Sequence, residues 1–397
     1  MPISDFPLSI ELLKAIADLG CVEPFPVQAA VIPRLLAGRD LCVSAETGSG
    51  KTLAFAAPLI EVLGRGFARG QERGTGLVRC LIIVPTRELA AQVGAVFKNL
   101  AGGAARPLVI RVVHGGLSIN PDMISLRGGA DVLVATPGRL LDLASRNAAR
   151  LSAVEHLVID EADRILGLGF RDELAAILGL LPPERQTLLF SATIEGEIAA
   201  VARKALRDGE RICLGTESPV IAAPKAVVTA SGASIEEGIT EIVYSVARDD
   251  KGPFLRRLIE GEPPFERVMV FASSTRRADN VTRKLINNKI SAIAFHGDLS
   301  QAARTKALED FRRGRVRVLV ASDLASRGLD IAGLPCVINY ELPRQPLDYI
   351  HRIGRTGRAG AGGLAISLVS PEEEEALRLI EKRIGRKVPR SPRPEEP

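Results

Sequence analysis

Ala45-Glu46-Thr47-Gly48-Ser49-Gly50-Lys51-Thr52 lies between an apolar run, Leu41-Cys42-Val43, and a helix-like apolar segment from Leu53 to Leu63. Strand, glycine-containing turn and helix follow in that order, which aims backbone N–H groups and a helix N-terminus at an anion. Thr47, Gly48, Ser49 and Gly50 would wrap phosphate oxygens, Lys51 would reach the outer phosphates of a nucleotide, and the Thr52 hydroxyl would ligate Mg²⁺. The strict phosphate-loop pattern begins with Gly, whereas Ala45 stands here.

Outward from this stretch, short apolar runs recur at Leu81–Val84, Val109–Val113, Val132–Ala135, Leu157–Ile159 and Leu188–Phe190, separated by helix-like or loop segments. Strands alternating with helices predict an α/β fold with a parallel, helix-covered sheet, whose ligands sit beyond the carboxyl ends of the strands. Residues 215–238 lapse into Ser, Pro, Ala and Thr without periodicity and are expected to be a linker. A second alternation begins at Ile239–Val243 and runs through Val268–Phe271, Ala292–Phe295, Val316–Val320, Val337–Ile338 and Ala365–Leu368, without a phosphate loop of its own. The expected organisation is therefore a first domain over 1–214, the linker, a second domain over 239–385, and a Pro-, Arg- and Glu-rich tail over 386–397 expected to be disordered.

A chain of 397 residues exceeds one ordinary core, and 46% hydrophobic with 25% charged residues is the balance of a globular protein. The net charge of +5 permits nucleic-acid binding without establishing it. Aromatics make up 4% and Trp is absent, so a nucleic acid would be gripped through phosphates and sugars rather than by stacked bases. The five cysteines are scattered with no CxxC pair, which argues against a zinc site or a disulfide framework. Neither a basic-then-apolar leader nor a bilayer-length apolar stretch is present, and a cytoplasmic location is the expectation.

Asp160-Glu161-Ala162-Asp163 follows Leu157-Val158-Ile159 and so falls at a strand's carboxyl end. Carboxylates there can hold Mg²⁺, partly through water, and orient an attacking water. With the phosphate loop, this implies a nucleotide triphosphatase. Pro85-Thr86-Arg87-Glu88-Leu89-Ala90 and Thr136-Pro137-Gly138-Arg139 each offer a hydroxyl, an Arg and helix-start N–H groups after a strand, which suits phosphate oxygens. Gly115-Gly116 lets one backbone approach another, and Ser191-Ala192-Thr193 adds hydroxyls. Asp323 to Asp330 follows a strand of the second half. Arg352, Arg355 and Arg358 recur at three-residue spacing. Arginines brought from a second body suit the spread negative charge of a phosphoryl-transfer transition state.

Together these stretches resemble the DEAD-box family of ATP-dependent RNA helicases, in the family's order and over nearly the whole chain. The resemblance rests on Phe6 with Gly20, Pro24 and Gln28, then 45–52, 85–90, Gly115-Gly116, 136–139, DEAD at 160–163 and Ser191-Ala192-Thr193. Beyond the linker it continues through Val270–Thr275, Gln301 and Arg304, 321–331 and 351–360. It implies two tandem RecA-like domains with ATP and RNA bound across the cleft between them. By the same likeness Phe6 would pack on adenine, Gln28 would read its edge and Asp330 would contact the ribose. Asp160 would be the metal-side carboxylate, Glu161 would position the hydrolytic water, and Arg355 and Arg358 would be arginine fingers. Asp163, Ser191, Thr193 and His351 would couple hydrolysis to closure. Pro85, Thr86, Arg87, Gly116, Thr136, Pro137, Gly138, Arg139, Arg304 and Ser322 would touch the RNA backbone. Phe25 and Ser322 stand where the family usually has Thr.

The expectation is an RNA-dependent ATPase, using ATP and Mg²⁺, that unwinds short RNA duplexes by local strand separation. It would act as a monomer on single-stranded and duplex RNA, largely without regard to sequence. An ATP-gated RNA clamp that does not unwind, and a DNA translocase on the same paired-domain plan, are the alternatives.

Overall fold

The fold is described from a computed structural model, over residues 3–21, 23–45, 49–65, 77–207, 209–213, 234–236, 239–261, 265–322, 331, 333–357 and 362–392. The chain divides into two compact units, Met1–Ser218 and Pro219–Pro397. The predicted phosphate-loop residues Thr47 and Gly48, Asp330 and Arg358 lie outside the described residues.

The first unit is a seven-stranded sheet: β1 (Leu41–Ser44), β2 (Val78–Ile83), β3 (Ile110–Val113), β4 (Ala130–Ala135), β5 (His156–Ile159), β6 (Gln186–Ser191) and β7 (Glu210–Cys213). The strands lie in the order β3-β4-β2-β5-β6-β1-β7, and every pairing is parallel. Helices cover both faces, so the central strands read as unbroken apolar runs, and all six residues of β4 and of β6 are buried. Alternate residues enter opposite cores: Val158 joins the core of Phe55, Phe97 and Phe190, whereas Leu157 and Ile159 join that of Leu140, Ile165 and Leu189. The helix Lys51–Arg65 is anchored in the first core, with Phe55 fully buried and its ring centroid 5.4 Å from that of Phe190. Strand β7 lacks an apolar run; it is an edge strand recruited by its ladder with β1.

The second unit holds β8 (Ser234–Glu236), β9 (Ile239–Ser245), β10 (Val268–Ala272), β11 (Ala292–Phe295), β12 (Val318–Ser322), β13 (Cys336–Asn339), β14 (Gly363–Val369) and β15 (Arg390–Ser391). The main path is β11-β12-β10-β13-β14-β9-β15, parallel throughout. Strand β8 pairs antiparallel with the first half of β9.

Two expectations are corrected here. The linker was expected to run to residue 238, but 234–236 already belongs to the second sheet. The tail was expected to be disordered from residue 386, yet Arg386 to Pro392 is folded onto the unit. Arg390 and Ser391 pair with Val243 and Tyr244, and the Val243 amide donates to the Pro389 carbonyl at 2.8 Å. The physical reason is a buried carboxylate: Glu241, 1% exposed, accepts from the Tyr349 hydroxyl at 2.8 Å and from the Arg386 guanidinium. Val388 is buried as well, and its amide donates to Glu381. A polar composition misleads when each charge has a partner waiting on the sheet edge. Arg386→Ala should strip Glu241 of its counter-charge and loosen this strap, costing about 2 kcal/mol of stability. Hydrogen exchange checks it: the Val243 amide should exchange faster in the variant, and unchanged protection would contradict the assignment.

Candidate active site

Because the first sheet is parallel, the segments that follow its strands meet at one rim, and the strand order sorts them. The stretches after β1, β6 and β5 (Ala45 and 49–52, 192–193 and 160–163) are neighbours. Those after β2, β4 and β3 (85–90, 136–139 and 114–116) form a second group. With strands about 4.8 Å apart, β1 lies roughly 14 Å from β2, and β5 and β6 stand between them. The chain order of these stretches gives no hint of that grouping.

In the first group, the Ala45 amide donates to the Ser191 carbonyl at 3.1 Å, and the Ser44 hydroxyl to the Ala192 carbonyl at 3.4 Å. These bonds tie the base of the phosphate loop to the end of β6. The Ser191 hydroxyl in turn accepts from the Thr193 amide at 3.3 Å. Lys51 is the first residue of its helix and is 7% exposed; its ammonium donates to the Ala45 carbonyl at 3.0 Å, spanning the loop from end to start. Thr52, one residue on, is half-buried.

Gln28 is 1% exposed and fastens the loop from the other side. Its Nε2 donates to the Gly50 carbonyl at 3.3 Å, while its Oε1 accepts from the Phe25 amide at 3.0 Å. That second bond is half of a capping box for the helix Pro26–Leu36; the other half is missing because a phenyl ring has no acceptor. The ring of Phe25 instead leans on the loop, half exposed. Gly50 has φ +87, and a Cβ there would lie 2.5 Å from the Gln28 amide nitrogen and 3.0 Å from the Phe25 ring. Only glycine fits the position, both for backbone conformation and for space. Phe6, expected to pack on adenine, is 3% exposed and belongs to the core cluster that also holds Leu8, Leu12, Val27 and Val31.

The acidic strand end is deeply buried, with Asp160 2% and Glu161 7% exposed. Burial is the main reason the Asp160 carboxyl is pushed up to about 6, against the pull of the Lys51 ammonium and with help from the neighbouring Glu161. Its Oδ1 accepts from the Glu161 amide at 2.9 Å. Glu161 has φ 52 and ψ 50, a left-handed conformation that costs an L-residue roughly 1–2 kcal/mol. Its carboxylate accepts from Arg164 at 3.0 Å, a residue the sequence reading passed over because it stopped at the fourth letter of the motif. Asp163 Oδ2 is buried with no hydrogen-bond partner among the described residues.

In the second group, the Thr86 hydroxyl caps the helix Arg87–Leu100 by accepting from the Leu89 amide at 3.3 Å. Arg87 and Gly116 are brought together: Gly116 has φ +88, and any Cβ there would overlap the Arg87 guanidinium. Pro85, Thr136 and Pro137 are buried at the strand ends, and Gly138 faces open space in the first turn of the helix Pro137–Ser145. Arg139 departs from expectation. It is 6% exposed and donates to the Leu117 carbonyl, to the Ser118 carbonyl at 3.2 Å and to Asp122 at 2.7 Å. It shapes the loop after Gly116 rather than presenting its guanidinium to solvent.

In the second unit, Ser322 ends β12 and is 5% exposed; its hydroxyl has no partner among the described residues. Arg304 lies with its guanidinium 5.2 Å from the Phe295 ring centroid. Of the three spaced arginines, Arg352 is committed to its own sheet, donating to Asn339 at 3.0 Å and to the Glu341 carbonyl at 2.6 Å. Arg355 is buried just beyond the helix Pro346–Ile353, and His351 is half-buried within it.

The oxygen donors fit Mg²⁺. A hydroxyl and a carboxylate are hard ligands of the kind that the ion takes alongside phosphate oxygens and water. Asp160 is also a buried carboxylate that burial alone disfavours as an anion, so a cation beside it would offset that cost. Among the described residues no three His, Cys, Asp or Glu side chains gather into a complete protein cage.

Two family models match the chain, a DEAD/DEAH box helicase model over residues 25–201 and a helicase conserved C-terminal domain model over residues 250–360. A DEAD-box ATP-dependent RNA helicase CshA of Bacillus licheniformis is 37% identical over 390 residues, covering 98% of this chain and 75% of that protein. An ATP-dependent RNA helicase RhlB of Pseudomonas syringae pv. tomato is 40% identical over 387 residues, covering 97% and 93%. Among solved structures, S. cerevisiae Dbp5 bound to RNA and ADP BeF3 aligns with a TM-score of 0.80 at 28% identity, covering 98% of this chain and 95% of that one. One model falls on each unit, and the full-length relatives leave almost no residue of this chain unaligned. The chain therefore belongs to the DEAD-box family of ATP-dependent RNA helicases, which are RNA-dependent ATPases.

Proposed function

We propose that this helicase binds ATP with Mg²⁺ at the ends of β1, β5 and β6 and the RNA backbone at the ends of β2, β3 and β4. What supports the reading is the strand order: the ends of β1, β6 and β5 are neighbours, and those of β2, β4 and β3 adjoin them on the β5 side. Lys51 and the loop amides meet the phosphate charge, and Thr52 and Asp160 hold the metal. One N–H of the Gln28 amide is left for the edge of adenine once Gly50 is served. Glu161 orients the hydrolytic water. Thr86, Arg87, Gly116 and Gly138, with the N-termini of the helices Arg87–Leu100 and Pro137–Ser145, take RNA phosphates without reading sequence. Ser322 and Arg304 do the same from the second unit, which also supplies Arg355 and Arg358 to the cleaving phosphate and Asp330 to the ribose. A transition state with charge spread over the transferred group needs such donors only when both ligands are in place. Closure of the two units on ATP and a single strand would then bend that strand out of duplex geometry, and hydrolysis would release it. Unwinding is local, not processive.

Glu161→Gln should bind ATP and RNA as the parent chain does, yet hydrolyse ATP about a hundredfold or more slower, since only the water-orienting charge is lost. Single-turnover hydrolysis beside nucleotide and RNA binding isotherms checks this, and near-parental turnover would remove Glu161 from the role.

The raised Asp160 carboxyl makes a second prediction. A group whose folded value lies above its unfolded one, here about 6 against 3.8, favours the folded state while protonated. Stability is therefore lost as pH climbs through that window and stays lost above it. Asp160→Asn cannot ionise, so without nucleotide or metal it should be more stable than the parent at neutral pH, by on the order of 1 kcal/mol, while being inactive. The two proteins should converge below about pH 4. Denaturant midpoints across pH measure the effect; a less stable Asn variant at pH 7 would contradict it.

A further inference from the structure

Arg164 is a buried cation that neither the phosphate loop nor the RNA rim uses. It is 6% exposed and pairs with Glu161, itself 7% exposed, through Nη1 to Oε2 at 3.0 Å. Pairs of this spacing are common on helix surfaces, where they contribute only a few tenths of a kcal/mol and can be lost freely. This one is different in three ways. Both side chains are out of water, so the cation is set against the carboxylate with little screening. The carboxylate belongs to a residue held in the left-handed region, at φ 52, between a strand end and a helix start. And the second arm of the guanidinium, Nη2, is buried with no hydrogen-bond partner among the described residues. An arginine retained only for packing would be expected to satisfy both arms, because a buried unmet donor costs about 1–3 kcal/mol.

The backbone contacts alone do not fix where the Glu161 carboxylate goes. The Glu161 amide is taken by Asp160 Oδ1, and its carbonyl accepts from the amides of Arg164 at 2.9 Å and Ile165 at 3.1 Å. These bonds set the turn and leave the side-chain torsions free. We propose that Arg164 is the positioning residue for Glu161. It holds one carboxylate oxygen, Oε2, fixing the side chain against the strained turn, and leaves Oε1 to receive a proton from the attacking water. This rests on the proposed role of Glu161, and it concerns orientation; Arg164 itself need not touch substrate. A group displaced by about 1 Å from its productive geometry can lose up to a hundredfold in rate without any loss of binding.

The test is steady-state RNA-stimulated ATP hydrolysis by Arg164→Gln and Arg164→Lys in the full chain, with thermal unfolding followed in parallel. Arg164→Gln should lower kcat by about tenfold to a hundredfold while KM for ATP stays within about twofold. Arg164→Lys, which restores a cation without the planar fork, should recover part of the lost kcat. Unchanged kcat in Arg164→Gln would overturn the proposal. So would a fall in kcat accompanied by a matching rise in KM, or one that Lys does not relieve although the variant remains folded, since either marks a packing role. Should Arg164→Gln fail to fold, Arg164→Lys alone decides: kcat reduced at constant KM supports the inference, and parental kcat refutes it. Glu161→Gln separates this from the reading beneath it. If that variant keeps turnover, the Glu161 role fails; if it loses turnover while Arg164→Gln does not, only the present inference does.

Discussion

Strand β1 pairs with β6 in parallel register, Ser44 against Ser191, and that ladder fixes where everything else on the first unit's rim can be. It places the base of the phosphate loop against the Ser-Ala-Thr turn, and the next ladder, β6 with β5, brings the acidic strand end alongside. A one-residue slip would turn each alternate side chain to the opposite core. Val158 and Leu157, now packed on different faces, would each meet the wrong neighbours. The catalytic geometry is thus held by the apolar alternation beneath it. Core packing sets the register, and the register sets the site.

On that frame the unit carries charges that folding alone would not choose. Lys51, Asp160, Glu161 and Arg164 are all nearly inaccessible, and Asp160 is destabilised as an anion by its burial. Glu161 sits in a backbone region that L-residues avoid. Strain and unfavourable burial gathered at one strand end are the ordinary mark of a site whose stability has been exchanged for readiness. The rest of the rim shows the opposite habit. Thr86 caps a helix and Arg139 braces a loop, so polar side chains of the motif stretches serve the scaffold.

Much of this was legible in the sequence, for physical reasons. Buried parallel strands must be apolar throughout, so β2, β4, β5 and β6 announced themselves. The strand-turn-helix order around Lys51 and the acidic residues after Ile159 pointed to phosphate chemistry at a common rim. What escaped had no periodic signal. Strand β7 and the strap over 386–392 are polar segments held by pairing with a neighbour, and a sequence scan finds only segments that bury their own side chains. Strand order was invisible too, because nothing in the chain order says that β1 lies beside β6. The burial of Phe6 was invisible for the same reason: an aromatic near a helix start reads alike whether its ring meets a ligand or the core. Arg164 was within reach, as a cation one turn after the acidic pair, but its burial was not.

The proposed nucleotide and RNA halves of the rim meet where β5 adjoins β2, and their coupling is what makes the two ligands act together. The measurement that tests it is the rate of ATP hydrolysis by the intact chain with saturating single-stranded RNA, with DNA of equal length and with neither. Stimulation by RNA of about tenfold or more, with little by DNA, is the predicted result. An ATPase rate that is the same with and without RNA would contradict it.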